Sequence, residues 1–206
     1  MGTRDPEATK GRILDAALRE FSDKGIAGAR VDAIAERAGV NKRMLYYYFG
    51  SKQGLFHEIL QRRINEGSAA MNHPDIAEPG RLARRQASLT HEEDYVRLLA
   101  WEALEARSGP VIDESIRRAY FKQWIKAVEA EQRAGNLPDD LDAAQLVLSE
   151  LCLVLGPMLV PQLTRLITGC SPTGPRQLER RAAFLDVLER RITAPEHTSS
   201  PINSPN

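Results

Sequence analysis

Two cysteines among 206 residues, Cys152 and Cys170, cannot staple a chain of this length, and neither stands at metal-ligand spacing from another. That usage reads as a reducing compartment. The four histidines, His57, His73, His91 and His197, are scattered, so no metal set is expected. Long apolar runs are missing too. The most apolar stretch, Leu151–Val160, is about half of the ~20 residues a membrane span needs, and it holds Gly156 and Pro157. The opening M-G-T-R-D-P-E-A-T-K has no apolar signal-peptide core, and a soluble, cytoplasmic protein is expected. There is no glycine-rich phosphate loop, nucleophile elbow or zinc-protease motif. No carboxylate is marked by its context, so neither an enzyme nor a cofactor is expected. Net charge is absent as well, with 28 Lys and Arg against 28 Asp and Glu.

What is present is uneven. Residues 1–52 hold ten Lys or Arg and seven Asp or Glu, a basic surplus that the remainder cancels. A modestly basic head on a modestly acidic body fits a nucleic-acid reader attached to something else. The stretch from Arg30 to Lys52 reads as two short helices and a tight turn. Val31, Ile34, Ala35 and Ala38 recur at helical spacing. Gly39 stands just past a helix end, where a left-handed backbone is cheap only without a side chain. Asn41 suits the N-cap of the next helix. Leu45 and Phe49, four apart, point inward together. That leaves Lys42, Arg43, Tyr46, Tyr47 and Tyr48 outside. Three consecutive tyrosines cannot all be buried on one helix face. A basic, aromatic helix of this kind suits a DNA backbone and groove edge, as the second helix of a helix-turn-helix.

The string G-V-N-K-R-M-L-Y-Y-Y-F-G-S-K resembles the recognition-helix signature of the TetR family of transcriptional repressors. The match is at Gly39, Val40, Lys42, Leu45, Tyr46, Tyr47, Phe49, Ser51 and Lys52, with departures at Asn41, Arg43, Met44 and Tyr48. The resemblance covers about the first fifty residues. It implies that Lys42, Arg43 and Met44 face the bases and that Tyr46 reaches the groove or a phosphate. It also implies that Tyr47, Tyr48 and Lys52 hold phosphates. Arg30 stands where the family often has a capping Ser or Thr, and offers a phosphate contact instead.

The pattern throughout is all-α, with no strand of any length. Asp5-Pro6-Glu7 opens a first helix that ends at Gly25, and Ile26–Ala29 is read as a linker. Ser51 caps a fourth helix, the lever between two domains, which runs to a turn cluster at Asn72–Asp75. Helices follow at 79–89, His91–Ala106 (broken by Ser108-Gly109-Pro110) and Val111–Ala134. Asp142 caps a helix apolar on most sides, which Gly156 and Pro157 should kink or break. Met158–Ile167 continues it, and Arg176–Thr193 is the last helix. The layout is a DNA-binding domain over 1–52, a helical ligand-binding and dimerisation domain over 53–193, and a disordered tail over 194–206.

Trp101, Glu105, Tyr120, Trp124 and Met158 come into the body of the second domain. Helices at these places line a ligand cavity in the family, although plain core packing accounts for each residue equally. Cys152, within an apolar helix, reads as a buried, inert thiol. Leu148, Leu151, Leu155, Leu178, Ala182, Leu185 and Leu188 form stripes for a two-fold four-helix bundle. The expected partners are therefore a double-stranded, near-palindromic operator, a second copy of the chain, and a small hydrophobic or aromatic ligand that releases the DNA. The alternative is a helix-turn-helix protein that bridges DNA without an effector.

Overall fold

The computed structural model describes residues 5–71, 76, 78–106, 111 and 113–193. Among them the regular elements are ten helices and no strand. The expected turns at 72–75 and 108–110 and the tail 194–206 lie outside the described residues.

The first helix, α1 (Pro6–Gly28), starts where sequence chemistry places it: Asp5 Oδ1 accepts the Glu7 amide at 2.9 Å and Pro6 takes the first turn. It does not stop at Gly25. Gly25 takes φ 70°, ψ 173°, and one more turn follows to Ala29, whose amide returns to the Gly25 carbonyl. The expected linker is thus a kinked helix end. Next come α2 (Val31–Ala38) and α3 (Lys42–Phe49), separated by Gly39 at φ 67°. Ser51 Oγ accepts the Gly54 amide at 2.9 Å and opens α4 (Lys52–Met71).

Ile13, Phe21, Ile34 and Leu45 are buried together, with Phe21 set edge-to-face on Phe56 at 5.7 Å. This core does not close within the first three helices. Leu55, Phe56, Ile59 and Leu60 of α4 complete it, along with Leu98 from α6 (Glu93–Ala106). Between α4 and α6 runs α5 (Arg81–Thr90).

A second core joins α7 (Glu114–Arg133) to α8 (Ala143–Leu159) through Trp124, Val128, Leu137 and Val147. Asp142 caps α8 as expected, accepting the Gln145 amide at 2.8 Å. The third core sets Leu82 of α5 and Val154 of α8 on Leu185 of α10 (Pro175–Thr193). Beside it Arg81 pairs with Glu150 and Glu189, all three nearly buried. The Glu189 carboxylate also accepts the Arg81 and Leu82 amides at 3.3 Å, so α10 supplies the cap that Gly80 cannot give α5.

Three further expectations are corrected. First, α8 runs through Gly156 and Pro157 and breaks at Val160, turning by 87° into α9 (Pro161–Thr168). Pro157 removes the amide that would serve the Leu153 carbonyl, but Arg181 Nη2 donates to that carbonyl at 2.6 Å and keeps the helix whole. Val160 precedes Pro161, whose ring excludes the helical region, and it adopts φ −123°, ψ 61°. Second, Leu185 is fully buried within its own subunit and cannot face a partner; Phe184 and Val187 are the exposed apolar residues beside it. Third, Cys152 is exposed, on the outer side of α8 with Leu148.

Candidate nucleic-acid interface

Leu45 fixes the orientation of α3. It is fully buried, and Tyr48 and Phe49 lie half-buried against the same core. Asn41 Oδ1 accepts the Met44 amide at 2.8 Å, so the helix begins at Lys42. With one face anchored, Lys42, Arg43, Tyr46 and Tyr47 are left outside, and Tyr47 is 83 % exposed. Tyr48 is set edge-on to Tyr47 at 5.4 Å and braces it. Met44 is half-buried at a cleft of about 250 Å³ that also meets Thr9, Arg12, Gly39, Val40 and Asn41.

The cations differ in what already holds them. Lys42 Nζ lies 3.0 Å from Asp32 of α2, and this bond and charge push its ammonium above the ordinary lysine value. Lys52 Nζ donates to the carbonyls of Ala27 and Ala29 at 3.1 and 3.2 Å, fastening the kinked end of α1 to the start of α4. An ammonium has three protons, which leaves one for a phosphate. Arg30 makes no side-chain cap on α2; its side chain is exposed, and its amide donates to Glu20 Oε1 at 3.3 Å. Glu20 is almost wholly buried. Burial pushes its carboxyl up, but Lys24 at 2.7 Å, the Arg30 amide and the Arg37 charge outweigh that and hold it below the ordinary value.

Sequence reasoning passed over Arg12. Its Nε donates to the Ala38 carbonyl at 3.4 Å and its Nη2 to Thr9 Oγ1 at 3.3 Å, which places a guanidinium beside the turn before α3. Nothing in its local sequence marks it, because α1 meets the turn only in three dimensions.

The head thus presents a basic and aromatic helix, entered through a left-handed glycine and a capping asparagine. Residues 13–59 match the family model for bacterial regulatory proteins of the tetR family. Residues 79–190 match the tetracyclin repressor-like C-terminal domain. The chain belongs to the TetR family.

Two relatives carry the likeness over most of their length. The chain is 34% identical over 175 residues to the HTH-type transcriptional repressor SCO4008 of Streptomyces coelicolor, covering 84% of this chain and 91% of that one. It is 30% identical over 167 residues to the repressor NicS of Pseudomonas putida, covering 73% and 78%. In fold it is similar to the transcriptional regulator SCO4942 of Streptomyces coelicolor, at a TM-score of 0.68 and 23% identity, over 89% of this chain and 97% of that one. The protein is a transcriptional repressor of TetR type.

The five residues expected to line a ligand cavity in this TetR-type body are divided by the structure. Trp101 and Glu105 face the head. Trp101 Nε1 donates to the Ser22 carbonyl at 3.1 Å, and Glu105 Oε1 accepts the Ala27 amide at 3.3 Å. They close over Gly25, where an added Cβ would strike both. Ser22 Oγ on Asp94 at 3.0 Å and Arg97 near Asp23 complete this clasp between α1 and α6. It spends two of the five on joining the domains. Trp124 lies in the α7–α8 core with the Arg85 guanidinium 3.8 Å from its ring centre. Burial pulls the Arg85 pKa down to about 10, against the raising effect of Glu150. Tyr120 is half-buried nearby, edge-on to Phe121, and Met158 is half-buried on α8. A second tie joins lever to body: His57 Nδ1 of α4 stands 2.6 Å from the Asp113 carboxylate before α7.

Of the expected interface residues other than Leu185, Leu148 is exposed, while Leu151, Leu155, Leu178, Ala182 and Leu188 are half-buried. Among the described residues no cluster of His, Cys, Asp and Glu could hold a metal ion, and no single helix is long and apolar enough to cross a membrane.

Proposed function

We propose that this repressor binds a near-palindromic operator as a homodimer and is released by a small, largely apolar or aromatic ligand. In this reading residues 1–52 are the DNA head, 53–193 the sensing and dimerising body, and 194–206 a tail. The observation that carries it is the outward face of α3. Lys42, Arg43, Tyr46 and Tyr47 stand free of the core on a helix that Leu45 holds rigidly. Arg43 and Met44 read bases with Lys42, Tyr46 follows the groove edge, and Tyr47, Tyr48, Arg30 and Lys52 hold phosphates. Uncovered apolar residues on α8 and α10, Leu148, Phe184 and Val187, support the two-fold pairing.

Release runs through two ties. Ligand seated near Tyr120, Trp124 and Met158 shifts α6 and α7. The Trp101–Gly25–Glu105 clasp passes that shift to α1, and the His57–Asp113 pair passes it to α4. The two heads then lose the ~34–36 Å spacing, or its multiple, that successive major grooves demand.

The test is selection from a random duplex pool. It should enrich two inverted half-sites whose centres are one helical turn, or a multiple, apart. A single unpaired half-site would overturn the dimeric reading. Trp101 and Trp124 are the only tryptophans, so their fluorescence reports ligand entry in a screen of hydrophobic and aromatic compounds. A protein that no compound in the screen perturbs or displaces from DNA would point to the effector-free DNA-bridging alternative.

A further inference from the structure

Asp113 stands at the N-cap of α7, yet its side chain caps nothing. Its backbone is left-handed at φ 57°, ψ 34°, and among the described residues no other non-glycine residue has a positive φ. A capping aspartate needs an extended backbone to bring its carboxylate over the first amides of the helix. Here the carboxylate meets α4 instead. Oδ1 lies 2.6 Å from His57 Nδ1, and Oδ2 is buried without a hydrogen-bond partner. The left-handed turn, the missing cap and the contact with α4 are one arrangement, and it is strained. The same carboxylate has a second resting place. With its backbone relaxed to the extended region, Asp113 caps α7 and lets α4 go.

The charge on His57 decides between the two. A neutral imidazole offers the carboxylate one N–H. An imidazolium adds a full charge to that hydrogen bond, against a carboxylate that is nine-tenths buried. The ring itself is 42 % exposed and exchanges protons with solvent. The other charges on α4 and on the helices packed against it are engaged elsewhere. On α7, Glu114 pairs with Arg118, and Arg117 pairs with Glu102 of α6. On the α1 side, Asp15 pairs with Arg62, while Lys10 pairs with Glu7 and feels the charge of Glu58. Arg63 pairs with Glu92, Lys52 holds the end of α1, and Lys42 of α3 pairs with Asp32. Resting on the operator reading above, we propose that His57 and Asp113 form a proton-operated latch between the lever and the body. Protonated, it holds α4 to α7 in the arrangement that fits the operator. Deprotonated, it frees Asp113 to cap α7 and α4 to swing. Histidine changes charge between about pH 5 and 8, and the latch works across that range. The closed form binds the proton more tightly, so by linkage operator affinity rises as pH falls. A dimer carries two latches, and their effects multiply.

Anisotropy titrations of selected operator, at one ionic strength and a series of pH values, test this with wild type, His57→Asn and Asp113→Asn. The His57→Asn change keeps an amide donor near the place of Nδ1 but carries no charge. Asp113→Asn removes the carboxylate and still tolerates the left-handed backbone. From pH 8 to pH 6 the wild-type dissociation constant should fall about tenfold, and that of each variant less than about twofold. A non-specific duplex should show no such difference between wild type and variants, since phosphate contact alone does not need the heads in register. Nitrogen-15 imidazole spectra give a second reading that does not depend on a variant folding: adding operator should raise the titration midpoint of His57. Equal pH profiles for wild type and His57→Asn would overturn the latch, as would a His57 midpoint that operator leaves in place. A wild-type affinity that weakens toward pH 6 would show the latch closing on the released arrangement, and would overturn the proposal too. A protein that prefers no sequence at any pH would overturn the operator reading itself, whereas sequence preference with a flat profile overturns the latch alone.

Discussion

Lys42 holds Asp32 at 3.0 Å before any DNA arrives. In the proposed DNA-bound state the ammonium turns from that carboxylate toward a base or a phosphate, and Asp32 is left near a polyanion. Asp32→Asn should therefore tighten binding to every sequence and steepen the salt dependence, read as the slope of log K against log salt. Arg43 has no such tether among the contacts described, so Arg43→Ala should cost ~1–3 kcal/mol of discrimination at one base position. Anisotropy titrations on matched and mutated operators separate the two effects. Lys52 is a different case. Besides weakening phosphate contact, Lys52→Ala should remove two bonds to the end of α1 and cost about 1 kcal/mol, seen as a drop in Tm without DNA. Glu20 sets an acid limit. Its folded carboxyl is held below its ordinary value, so its contribution is fully present above that value and is lost as pH falls through the folded one. Glu20→Gln should flatten the fall of stability on the acid side, measured by urea unfolding at a series of pH values.

At the scale of elements, what could be read in advance was whatever is local. Gly39, Asn41, Ser51 and Asp142 mark their helix ends in the structure as they do in the chain, because a cap is satisfied within a few residues. Partnership between elements was not legible. Leu185 shares a stripe with Leu178 and Ala182, and periodicity cannot say whether a stripe meets its own subunit or another. The answer came from Leu82, a hundred residues away. Trp101 and Glu105 read as cavity residues because an aromatic in an interior helix is compatible with either use. The kink at Gly25 that they cover was not visible as a socket. Pro157 reads as a breaker until Arg181, on α10, is found on the freed carbonyl. That pairing makes a prediction. Arg181→Met should destabilise the protein by about 1–2 kcal/mol. In a Pro157→Ala background the loss should be smaller, since the backbone then satisfies Leu153 itself. Chemical denaturation of the four proteins of this cycle measures the coupling. Gly25→Ala should be costly for two reasons, a left-handed φ and a clash with Trp101 and Glu105. It should lower Tm and weaken operator binding together.

For the whole molecule, linkage is the strict demand. In the proposed switch, a ligand releases DNA only by binding the released arrangement better, so operator should weaken ligand binding by the factor by which ligand weakens operator binding. Isothermal titration with and without operator measures both sides. The burial of Leu98 among Ile13, Phe21 and Leu45 has another consequence. Because α6 donates a side chain to the core under the DNA-reading helices, the reading head is not a detachable cassette. A chimaera that joins this head to a relative's body inherits a socket shaped for another residue. Such hybrids should fold only when the facing surface of α6 travels with the head, measured as the Tm of chimaeras with and without that surface.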